Sequence, residues 1–115
     1  MNKILVEVSV GELLDKISIL EIKSEKIKDP EKLNFINDEY DILKNQLSKN
    51  IKDFKEIQNL YVSLKEINSK LWVIEDDKRL CEKNNDFGEK FIKLSRDVHF
   101  LNDERAKLKL EINNK

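Results

Sequence analysis

The sequence predicts an all-α protein: antiparallel helical hairpins in a coiled-coil-like bundle, preceded by one short N-terminal β-strand. Three observations carry that reading. Apolar residues recur at spacings of three and four through most of the 115 residues, the period of helices with one buried stripe. Glycine occurs twice and proline once, so little interrupts a helix. Charged residues make up 39% of the chain and hydrophobic residues another 39%, the balance of helices whose wet faces carry ion pairs around a core. At this length the chain makes one domain, residues 1–115.

The strand is expected at residues 3–8, KILVEV, where Ile4, Val6 and Val8 alternate with Lys3, Leu5 and Glu7. A lone strand leaves its hydrogen-bonding edges open, so its expected partner is the same strand of a second copy, unless the segment packs as an extended arm. Ser9 and Glu12 have the spacing of a capping box. They open a helix over 10–28 whose stripe is Val10, Leu13, Ile17, Leu20 and Ile27, widened by Leu14 and Ile22. Asp29-Pro30 separates it from a second helix over 30–48, with Asp as the cap and Pro at the first helical position, where a missing amide costs nothing.

Leu33, Ile36, Tyr40, Leu43 and Leu47 form the second stripe, and SKNIKD at 48–53 breaks it. A long helix over 52–84 follows, carrying Ile57, Leu60, Leu64, Ile67, Leu71, Ile74 and Cys81 at heptad spacing, with Lys78 as an intruder. Asn84-Asn85-Asp86 is turn chemistry, and Asp86 with Glu89 has the spacing of another capping pair. The last helix, 87–113, carries Phe87, Phe91, Leu94, Val98, Leu101, Leu108 and Ile112, interrupted only by Arg105. A tight turn between two heptad helices makes an antiparallel hairpin. Its register sets Cys81 against Phe91, Ile74 against Val98, Ile67 against Arg105 and Leu60 against Ile112. Two such hairpins cannot cover all their apolar faces alone, so a homodimer or larger assembly is expected, with a protein partner as a further possibility.

Charge narrows the function classes. The formal net charge is -1 with both signs interspersed, so no basic stripe faces nucleic acid or anionic lipid. No apolar run reaches the roughly 20 residues that span a bilayer, and Met1 to Val10 lacks the pattern of a signal peptide. Cys81 is the single cysteine, which fits a reducing compartment, and the expected location is the cytoplasm. There is no Gly-rich phosphate loop, Ser nucleophile elbow or paired Cys motif. Asp86-Phe87-Gly88 spells a kinase metal-binding triplet without the rest of that machinery.

Arginine occurs only at Arg79, Arg96 and Arg105 in a chain rich in Lys, Asn and Ile, so each one raises a question. The hairpin register sets Asp76 opposite Arg96 and Glu75 near it, and the stretches that carry Glu75, Asp76 and Arg79 and that carry Arg96, His99 and Asp103 make one polar cluster. The plainer reading of that cluster is an ion-pair ladder, and the sharper one is a pocket where Arg forks grip an anion. His99 and Asp103, spaced i,i+4, could share a divalent ion, but one His without further His or Cys ligands does not make a zinc site. Neither a metal nor a cofactor is expected. Arg105, in an apolar seam, is expected to lay its stem on Ile67 and Leu108 and reach Glu66, Asp103 or a partner chain, or else to fix register and oligomer state.

The stretches SVGELLDKISILEIK, LWVIEDD, LCEKNNDFGEKFIKLSRDV and FLNDERAKLKLEIN resemble those of a short, uncharacterised bacterial protein family of unknown function. The likeness runs through nearly the whole chain and is loosest at 45–65. It implies a stand-alone bacterial helical protein and brings no reaction with it. The function expected from the residues is a non-enzymatic helical homo-oligomer serving as an interaction or scaffold module. The alternative is a small anionic-ligand or metal-binding protein, or an enzyme, with a polar site between the last two helices.

Overall fold

The computed structural model describes residues 1–115, and they form four helices: α1 Val10–Lys26, α2 Pro30–Asn50, α3 Lys55–Lys83 and α4 Glu89–Asn113. The expected β-strand does not form. Residues 1–9 carry no regular structure, and Leu5 is 98% exposed and Ile4 85%. The reason is that its amides and carbonyls find no second strand in the chain to pair with. What remains is an exposed arm of apolar side chains.

The helix boundaries shift where local chemistry outweighs periodicity. Ser9 caps α1 as expected, its hydroxyl accepting from the Glu12 amide at 3.1 Å. Without a glycine to exit through a left-handed turn, α1 stops at Lys26, and Ile27 turns extended to set up Asp29, which accepts from the Glu31 amide at 3.2 Å with Pro30 behind it. Helix α2 runs on to Asn50, and α3 begins only at Lys55 because Asp53 accepts its amide at 3.0 Å. Between them Ile51 and Phe54 turn inward against the core.

Helix α3 ends in a Schellman motif: Asn85 takes a positive φ of 54°, and the amides of Asn85 and Asp86 donate to the carbonyls of Glu82 and Cys81. The expected Asp86–Glu89 cap is shifted. Asp86 accepts from the Gly88 amide at 3.3 Å, Gly88 becomes the cap residue, and α4 starts at Glu89 instead of Phe87. Phe87 stays outside the helix with its ring edge-on to Phe91, centroids 5.5 Å apart.

Helices α3 and α4 form the antiparallel hairpin, α1 packs on both of them, and the backbone of α2 comes close to that of α1 alone. The core gathers Leu13, Leu14, Ile17, Leu47, Ile57, Leu64 and Ile112. Gly11 is what lets α1 and α4 come together. A methyl group built there would overlap the Lys109 carbonyl, and the Gly11 amide donates to Asn113 Oδ1 at 2.7 Å. No helix is long and apolar enough to cross a membrane.

Candidate functional site

The feature that organises the centre of the molecule is polar. Asp15 and Ser18 of α1 and Asn68 of α3 are all buried, and Arg105 of α4 completes the group. Arg105 grips the Asp15 carboxylate with two bonds, Nε to Oδ1 at 2.8 Å and Nη2 to Oδ2 at 2.5 Å. Asn68 Nδ2 donates to Asp15 Oδ1 at 2.9 Å and to Ser18 Oγ at 2.8 Å, and the Ser18 hydroxyl donates to the Asp15 backbone carbonyl. Lys109, in an ion pair with Glu12 at 2.6 Å, stands 3.9 Å from Asp15. Burial by itself pushes the Asp15 carboxyl up. The bonds from Arg105 and Asn68, with the charges of Arg105 and Lys109, outweigh that and hold it below the ordinary carboxylate value. The charge of Arg105 therefore goes to Asp15, and not to Glu66 or Asp103 as the sequence led us to expect.

A groove of about 330 Å³ lies over this group, between α1 and α3. Asn68, Leu71 and Arg105 line it together with the single tryptophan, Trp72, and with Ile19, Ile22 and Lys23 from α1. Three residues of the predicted cluster, Glu75, Asp76 and Arg79, line the same groove. Arg79 pairs with Asp76 at 3.3 Å along its own helix, an exposed contact of small energetic weight.

The other half of that cluster is elsewhere. Arg96 and His99 lie with Phe91, Ile92, Ser95 and Phe100 along α4, and Arg96 stacks over the Phe100 ring, 5.9 Å from its centroid. His99 and Asp103 approach to 3.7 Å, both more than 70% exposed, with no third ligating group beside them. The hairpin register places Asp76 and Arg96 at equal height, but they line different grooves, and Asp76 pairs with Arg79 instead. A second polar cluster joins α1 to α3: the Tyr61 hydroxyl donates to Glu21, and Lys65 Nζ reaches Glu21 and Glu25 at 3.0 and 3.1 Å. Burial and the Glu21 contact push the Tyr61 phenol well above its ordinary range.

Between α3 and α4, with no residue of α1 in its lining, Val73 and Ile74 of α3 and Phe100 and Leu101 of α4 line a shallow apolar groove of about 610 Å³. Val62, Val73 and Leu80 make a stripe of α3 that is about half exposed. The whole chain exposes 8708 Å², whereas a compact monomer of 13.7 kDa exposes about 6,600 Å². Its radius of gyration is 16.2 Å against about 13 Å for a compact chain of this length.

Among known proteins, residues 4–115 match the model of a family described as a family of unknown function, DUF6165. No curated protein and no solved structure matches the chain.

Proposed function

We propose, for a chain that belongs to DUF6165, a family of unknown function, a non-enzymatic role as a self-associating helical module that works as a homodimer. The observation that carries this is the surplus of surface, about a third more than a compact monomer of this mass exposes. That surplus, about 2,000 Å², is in the range one protomer of an obligate dimer buries. The apolar arm at residues 1–9 and the half-exposed stripe on the outer face of α3 supply the apolar surface for such a contact. The same reading sets the module in a bacterial cytoplasm, on the strength of the sequence resemblance and of a single buried thiol, Cys81.

Light scattering on the purified chain tests it. The expected mass at micromolar concentration is twice 13.7 kDa, and Val73→Asp on the outer face is expected to shift the population to monomer with the helix content kept. A monomer in the unmutated protein contradicts the proposal.

A further inference from the structure

We infer that the groove between α1 and α3 is a binding site for a small zwitterion with an apolar body, of the size and chemistry of a free aliphatic or aromatic amino acid. This stands independently of self-association. At about 330 Å³ the groove is at the small end of ligand pockets, which run from about 300 to 1,000 Å³. That is room for one metabolite of amino-acid size.

The charged groups lining the groove decide the ligand class. Arg105 is fixed on one side: Nε and Nη2 are both spent on buried Asp15, which leaves Nη1 without a partner while 28% of the side chain remains open. A guanidinium held by two bonds cannot swing away, so its free edge is a donor already placed for a carboxylate. Lys23 lines the same groove and makes no ion pair with the protein. Its charge can join Arg105 in taking the anion.

Glu75 also lines the groove without an ion-pair partner. A simple anion would be repelled by it, and a simple cation by Lys23 and Arg105. A ligand bearing an ammonium and a carboxylate satisfies both ends at once. Trp72 and Ile19 supply the accessible apolar surface along which its side chain lies, with buried Leu71 and Ile22 beneath them. The desolvation cost of the Asp15–Arg105 pair points the same way, since apolar residues in such places are commonly as stable or more so.

Trp72 is the only tryptophan, so emission excited at about 295 nm, where the two tyrosines do not absorb, comes from a side chain that lines this groove. The full chain is titrated with L-leucine and L-isoleucine, and separately with 4-methylpentanoate, which lacks the amine, and 3-methylbutylamine, which lacks the carboxylate. The expected result is a saturable change with an amino acid at millimolar concentration or below, and binding weaker by roughly tenfold or more with either half-molecule. Glu75→Gln, on an accessible side chain whose loss leaves the core intact, is expected to weaken amino-acid binding by a similar factor with the circular dichroism unchanged. Arg105→Lys is expected to weaken both the amino acid and the acid. A flat titration with both amino acids overturns the proposal, as does binding of the acid alone with the affinity of the amino acid. Unchanged affinity in folded Glu75→Gln overturns it too.

Discussion

Asp15 and Arg105 are 90 residues apart in the chain, and their contact sets how the centre of the protein responds to mutation and to pH. Asp15→Ala leaves a guanidinium half-buried and unpaired, with an expected loss of about 3 kcal/mol in urea unfolding. Replacing both residues by Leu is expected to return the protein to within about 1 kcal/mol of the starting stability, because the desolvation of two charges is removed together. The carboxyl of Asp15 sits below its ordinary value in the folded state. Its contribution is therefore complete above the unfolded value of 3.8 and is lost as pH falls below it toward the folded value. Unfolding measured at stepped pH should show stability falling with acid in that window, and a shallower fall in Asp15→Asn. Arg105 stood out in the sequence as a charge in an apolar seam, but its partner did not. Gly11, Asp15, Ser18 and Ile22 follow spacings of four, three and four, which is a helical stripe in its own right. A search for apolar periodicity passes over it because three of its members are small or polar. Gly11 carries the tightest constraint of that stripe, and Gly11→Ala is expected to cost about 1–3 kcal/mol in thermal or urea unfolding by forcing α1 off the Lys109 carbonyl.

At the scale of elements, the four helices follow from heptad spacing and caps, and their ends are set by backbone conformations that spacing does not report. Lys55 starts α3 three residues later than periodicity alone places it, since Asp53 captures its amide. Asn85 holds the left-handed turn between α3 and α4, a conformation for which glycine carries no steric cost. Asn85→Gly is expected to raise stability by a few tenths of a kcal/mol, and Asn85→Val to lower it by about 1–2 kcal/mol, measured by thermal unfolding. The arm at residues 3–8 is the element that alternation misassigned. Period-2 alternation describes which faces a strand would present, and it cannot supply the neighbour whose amides complete the ladder. The candidate cluster was half legible for a related reason. The register gives the height of a residue along the hairpin, whereas the side of the seam it occupies decides whether it meets Trp72 or Phe100. Glu75, Asp76 and Arg79 came out beside α1; Arg96, His99 and Asp103 came out along the outer faces of α4.

For the whole molecule, the long shape, 48 Å by 35 Å by 25 Å, follows from helices that share few faces. Leu5→Asp in the exposed arm changes no contact within the protomer. Its thermal stability is thus expected to be unchanged at low concentration, and any loss seen only at high concentration marks the arm as part of an intermolecular contact. The attachment of α2 has a different consequence. Its backbone runs close to α1 and to neither of the other helices, it buries only Ile36 and Leu47, and its hold on the core is through Leu47, with Tyr40 and Leu43 packed beside it. Such a helix can open while the α1, α3 and α4 cluster stays folded, so its backbone amides are protected only by a local opening free energy. Hydrogen exchange followed by mass spectrometry should then find peptides from Pro30–Asn50 taking up deuterium well before those from the centre of α3. Simultaneous uptake by both would mean that the chain opens as one cooperative unit.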